Sequence, residues 1–366
     1  MTETFIYSFV NILEKQKEFC YIIFDWSIIG VVFLQREIIK PCYVFETLGE
    51  VMQAGWARRP MFAYNKSFSK SQNHCERDCY FINNGEVSLY LSVENYGLEF
   101  AVKIAIADLR RGGVIHDCIV KKINLKKISL PEAPHKGELL YTDKLIQLQI
   151  THSVDSRILK CDFIDFGAIK NLYFNIRLTQ QKGESLNILA PFERNRKYFY
   201  MKRFVPKFYA EGVIRVGGLE YSLKENNSFA YFDSARFYKP RKHNYQRLCC
   251  DTVIGGKRVS LNLASRVGDN RYGNENCCFV DREIIKLPQV NVKGNTIREG
   301  RPFYFSDDSE NIDITFKPFT LRGKPMNAVM DKSEVIFGRL FGYIDLPDGE
   351  QLALDNAQAH LVFAEF

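Results

Sequence analysis

The sequence predicts an all-β protein of antiparallel sheets with few helices, closed into barrels or packed as sandwiches. Three observations carry that expectation. First, two Gly-Gly pairs, Gly217-Gly218 and Gly255-Gly256, are each flanked by residues that alternate between apolar and polar. Gly-Gly supplies the positive φ angles of a two-residue hairpin turn. Second, aromatic residues make up 14% of the chain and are mostly Phe and Tyr, which favour strands. Third, no long segment after the first 33 residues keeps a helical period.

Each element follows from local pattern. Val87, Leu89, Leu91 and Val93 alternate with Ser88, Tyr90 and Ser92. After a turn at Glu94–Gly97, Leu98, Phe100, Val102, Ile104 and Ile106 alternate with Glu99, Ala101, Lys103 and Ala105. Period-two alternation predicts one face on a core and the other in water. The meander continues past Arg111-Gly112-Gly113 into Val114-Ile115, and strands are expected at 146–150 and 172–178. Ile214 and Val216 enter the first Gly-Gly turn; Leu219, Tyr221 and Leu223 leave it. Val259, Leu261 and Leu263 follow the second. Leu346-Pro347-Asp348-Gly349 predicts a late hairpin, and Leu361-Val362-Phe363 a closing strand.

Length and charge bound the partners. With 366 residues, two domains are the natural reading, 37–195 and 196–366, preceded by an extension over 1–36. Residues 19–33 are apolar but include Asp25 and fall short of a span of about 20 residues. We expect a dispensable extension, with the protein proper starting near Leu34 and membrane contact only if the extension is real. The formal charge of +7 is spread along the chain, too diffuse to imply nucleic acid. Between Arg194 and Lys207, Arg196, Lys197, Lys202 and Arg203 interleave with Tyr198, Phe199, Tyr200 and Phe204. That pattern fits single-stranded nucleic acid, but a strand with one solvated basic face explains it more simply. The ten cysteines show no disulfide framework, and Cys249-Cys250 and Cys277-Cys278 are sequence neighbours, so reduced thiols in a cytoplasm are expected. His74, Cys75 and Cys79 form the one zinc-like group and lack a second ligand pair. No metal or cofactor is expected.

Candidate site residues come from the polar stretches. Asp233 and Arg236 lie three apart: a carboxylate that could protonate an alkene with Arg236 tuning it, or a salt bridge closing a barrel end. Asp269, Glu275 and Asn276 supply further acid or hydrogen-bonding groups, or cap turns. Arg58 and Arg59 beside Trp56 and Tyr64 form a candidate cation–π or anion site.

The ordered set Gly55–Pro60, Ala105–Leu109 with Gly112-Gly113, Ala190-Pro191-Phe192, the 212–221 hairpin, Ser228-Phe229 with Asp233 and Arg236, Gly268-Asp269, Asn274-Glu275-Asn276 and Val335–Gly342 resembles the bacterial domain-of-unknown-function family 2804. The resemblance implies two lipocalin-like (calycin) β domains, distantly similar to the carotenoid hydratase and lipocalin-like Diels–Alderase group. Such relatives handle large apolar ligands in a barrel mouth or between barrels. The chain departs from the family pattern around the central segment, where Ser234, Ala235, Phe237 and Lys239 stand in place of the usual Trp and Gly. The expected partner is a hydrophobic small molecule or lipid. Asp233 and Glu275 are the expected catalytic groups if the protein is an enzyme. Arg236, Asp269, Asn276, Trp56, Arg58 and Tyr64 are the expected ligand contacts. A structural protein with filled barrels is the third reading.

Overall fold

Both Gly-Gly turns form as predicted in the computed structural model. Asn195–Val216 pairs with Leu219–Leu223 and Asn244–Ile254 with Lys257–Ser265, with φ of 54° and 81° at Gly217 and Gly218 and 57° and 81° at Gly255 and Gly256. The structure describes residues 20–25, 28–33, 35–46, 49–65, 74–110, 114–123, 128, 130–133, 135–167, 171–192, 195–238, 244–265, 268, 271–294, 300–331 and 333–365. Among these there is no helix, and the strands form two large, curled antiparallel half-barrel sheets. Among the described residues no helix is long and apolar enough to cross a membrane.

The first sheet runs, edge to edge, through Gly137–Thr142, Ile146–His152, Ser156–Phe163, Leu172–Gln180, Asn195–Val216, Phe229–Tyr238, His74–Asn83, Val87–Asn95, Glu99–Asp108 and Val114–Ile123. The second takes up Asn244–Ile254 and ends with Gln351–Glu365. The change of sheet falls between Tyr238 and Asn244, and Asn195–Val216 is a central strand of the first sheet.

The second sheet repeats the connection order of the first. Each opens with a meander of four strands, each returns through further strands, and in each the last strand pairs with the first: Phe229–Tyr238 with His74–Asn83, and Gln351–Glu365 with Asn244–Ile254. The residues Leu361–Phe363 thus close the sheet from its middle, within one 15-residue strand. Two glycines recur at matching places. Gly212 pairs with Ile176 and Gly342 with Ile314, both at positive φ, and a Cβ there would lie 2.1 Å from the Asn175 carbonyl oxygen and 2.0 Å from that of Asp313. Only glycine permits so close a backbone approach.

Apolar side chains fill three layers. One cluster, with Leu89, Leu91, Ile104, Phe174 and Phe232, occupies the first half-barrel. A second, with Leu261, Ile314, Phe316 and Leu361, occupies the other. A third, with Phe81, Tyr90, Phe204, Phe279, Phe337 and Val362, lies between the two sheets. This middle layer corrects the expectation of a wet face on the first meander: Val87–Asn95 and Glu99–Asp108 are buried on both sides. Its polar residues answer to the other sheet, Gln358 Nε2 donating to Ser88 Oγ at 3.0 Å and Lys103 Nζ to Ser333 Oγ at 3.3 Å. The strands farther from the second sheet, such as Ser156–Phe163, keep the alternation of one buried and one exposed row.

Candidate functional site

Strand period decides which polar groups can meet. In register, Phe204 faces Asp233 and Cys79, while Arg203 faces Ser234 and Asp78. Odd positions of Phe229–Tyr238 point into the layer between the sheets, and even positions point into the first half-barrel. Asp233 and Arg236 therefore part company, and the expected pairing between them does not form.

Asp233 belongs to a buried charge cluster between the sheets. The guanidinium of Arg247 contacts its carboxylate, and Lys202 Nζ lies 3.7 Å away. Lys202 also donates to Glu275, which accepts from Tyr200 at 2.7 Å and Tyr245 at 3.1 Å as well. Arg247 donates to the Tyr231 hydroxyl at 3.2 Å, and that hydroxyl meets His360 Nε2 at 2.5 Å. Asp233 and Lys202 are both 0% exposed. Burial pushes the Glu275 carboxyl up, but the Lys202 ammonium, Arg247 and the Tyr200 hydroxyl together outweigh it and hold Glu275 below its usual value. Burial and Arg247 bring Lys202 down to about 8, and burial keeps His360 neutral. A saturated, ionised Glu275 has no proton to give. The basic stretch 194–207 is thus only partly solvated: Lys197 is exposed, whereas Lys202 and Lys207 are buried.

The opposite face of the same strands opens onto a pocket of about 60 Å³ at the mouth of the first half-barrel. That is room on the order of four waters. Its apolar lining includes Pro60, Phe62, Tyr64, Met201 and Phe232; its polar lining includes Asp78, His152, Arg203, Ser234 and Arg236. Neither Asp233 nor Glu275 lines it. Arg236 donates to Asp78 at 2.8 Å and to the Pro131 carbonyl at 3.0 Å. Burial works against the Arg236 charge, but Asp78 and Glu76 more than offset it and raise its pKa. His152 Nε2 meets the Tyr80 hydroxyl at 2.5 Å, and burial pushes the imidazole down to about 4, so it is neutral at pH 7.

The other expected contacts divide. Tyr64 reaches the pocket, its hydroxyl bonded to His74. Trp56 and Arg58 do not line it. Arg58 lies over the indole at 5.3 Å and bonds Glu37, Glu184 and the Ile284 carbonyl, each at 3.0 Å, a clamp across distant segments. Asn276 braces backbone, accepting from Ala264 N at 2.7 Å and donating to the Pro288 carbonyl at 2.9 Å. Asp269 lies outside the described residues. His152 and Arg203 went unread as site residues. His152 did carry a signal, since it continues the inward row Ile146, Leu148, Ile150.

The family model described as "Domain of unknown function (DUF2804)" matches residues 35–365. The chain belongs to the DUF2804 family. Kievitone hydratase from Nectria haematococca is similar in structure to this DUF2804 chain, with a TM-score of 0.52 and 10% identity over 79% of this chain and 88% of its own. A Nitrosomonas europaea protein provisionally assigned as AttH is similar too, with a TM-score of 0.50 and 8% identity over 80% of this chain and 92% of its own. At such identities the likeness concerns the lipocalin-like fold alone. No curated protein matches the sequence.

Proposed function

We propose that this protein binds a small, mostly apolar molecule with one polar end at the mouth of its first half-barrel. The observation that carries this reading is the pocket itself, where Pro60, Phe62, Met201 and Phe232 surround the polar groups of His152, Arg203 and Ser234. Sites of this kind pair an apolar wall with a few fixed polar groups. The lipocalin-like fold supports ligand binding in general, and the packed interiors of both half-barrels favour the mouth over the centre. Free thiols at Cys249, Cys250, Cys277 and Cys278 support a reducing compartment such as the cytoplasm.

Calorimetric titration with the small neutral alcohol 1-butanol tests the reading. The protein should bind it saturably, and Met201→Trp, which fills the mouth, should abolish the binding while leaving the unfolding transition in place. Binding unchanged by Met201→Trp would place it elsewhere.

One observation favours a second reading, hydration or dehydration of such a ligand. The Tyr80–His152 pair puts a neutral imidazole on the pocket wall, and histidine is the side chain most often used for proton transfer. The sealed carboxylates of Asp233 and Glu275 do not offer this. Under this reading His152→Gln removes turnover; turnover that survives His152→Gln would reject it.

A further inference from the structure

We infer that the pocket recognises its ligand through a carboxylate head, seated against Arg203 and the Nδ1 of His152. This rests on the pocket reading above and names the class of ligand.

Three polar atoms carry it. Among the described residues, Arg203 Nε, Arg203 Nη1 and His152 Nδ1 are shielded from solvent and meet no hydrogen-bond partner. Buried polar groups are nearly always satisfied, so three orphans on one small pocket ask for an explanation. All three are donors. The guanidinium can only donate. The Tyr80 hydroxyl is fully buried, and His152 Nε2 is its one acceptor in the described residues. Tyr80 satisfies its proton by donating to Nε2, which leaves the imidazole proton on Nδ1.

The charges agree. Of the two acids that line the pocket, Asp78 is engaged by Arg236 at 2.8 Å, and Glu132 is exposed. Burial, and then the neighbouring Arg157 cation, press Arg203 down to about 10. A buried guanidinium without an acid is unfavourable, and a carboxylate supplies the countercharge together with charge-assisted hydrogen bonds to its N–H groups. Neutral acceptors such as an alcohol would satisfy one donor and leave the charge alone. The wall formed by Pro60, Phe62 and Met201 then receives the first carbons of an aliphatic chain.

Calorimetric titration of the full chain with octanoate and with 1-octanol at pH 7.5 tests this. We expect octanoate to bind at least about tenfold more tightly than octanol. Arg203→Met should bring octanoate to the level of octanol and leave octanol within about twofold, since only the charge-assisted bonds are lost. Arg203→Lys, which keeps charge without the fork, should fall between. Equal affinity for the two ligands in the wild-type protein would overturn the carboxylate inference and leave the pocket reading intact. Binding of neither would overturn both. The wild-type comparison decides even if the Arg203 variants do not fold.

Discussion

Asp233 and Arg236 share a strand yet serve opposite faces of its sheet: Arg247 contacts the first from the second sheet, and Asp78 holds the second at 2.8 Å inside the half-barrel. With no common partner, their substitutions should add. Asp233→Asn and Arg236→Met should each destabilise by about 2–4 kcal/mol, because each strands a buried countercharge. In urea unfolding the double variant should equal the sum within about 0.5 kcal/mol. A coupling above roughly 1 kcal/mol would show that the two residues act as a pair.

Glu275 is held by Lys202, Tyr200 and Tyr245 in a layer that water does not reach. Glu275→Ala should cost about 3–5 kcal/mol, as it leaves the Lys202 ammonium buried without its acceptor. Lys202→Met combined with Glu275→Leu should restore a large part of the loss, since an apolar pair of similar volume often replaces a buried ion pair without penalty. Denaturant midpoints of the two variants, compared at constant m, give the answer; equal loss in both would contradict the scheme.

Gly212 and Gly342 stand where the second sheet echoes the first. Alanine at either site should destabilise by several kcal/mol, since its Cβ meets a backbone carbonyl oxygen at 2.1 or 2.0 Å. Gly218 also has positive φ, but a Cβ there meets nothing within 4 Å. Gly218→Ala should cost only about 1 kcal/mol of backbone strain. Thermal melts of the three variants rank them directly, and a mild Gly342→Ala would break the correspondence between the sheets.

Stability should fall in mild acid. The folded pKa of His152 is depressed to about 4 from 6.5, and that of His360 lies well below 6.5. Between those values the unfolded chain binds more protons, so stability rises with pH there and is lost as pH drops below about 6.5. The His152 share is on the order of 3 kcal/mol. Lowered carboxyls at Asp78, Glu94 and Glu275 extend the loss to still lower pH. Urea midpoints at pH 7.5 and 5.0 should differ less in His152→Gln than in the wild-type protein. An unchanged difference would contradict the assignment.

What the sequence reveals here is what is local. Gly217-Gly218 and Gly255-Gly256 impose their turns through their own backbones, so both hairpins were legible. The strand Ser156–Phe163 escaped notice because its inward row begins with Arg157 before Leu159, Cys161 and Phe163. The alternation at Ser88, Ser92 and Lys103 announced a wet face that a second sheet, distant in sequence, in fact covers. The candidate site failed for the same reason. Asp233 and Arg236 are close in sequence and invited pairing, though an odd spacing in a strand separates faces. His152 and Arg203 sit on strands that are not neighbours, and only the register of the whole sheet brings both to one pocket.

The most direct test of a ligand site at the first half-barrel uses the six methionines as reporters. Met201 lines the pocket, whereas Met326 and Met330 are buried in the layer between the sheets. In methyl-labelled protein, saturating octanoate should shift the Met201 resonance strongly and leave Met326 and Met330 in place. Shifts at Met326 and Met330 with Met201 unmoved would put the ligand between the sheets and contradict the account.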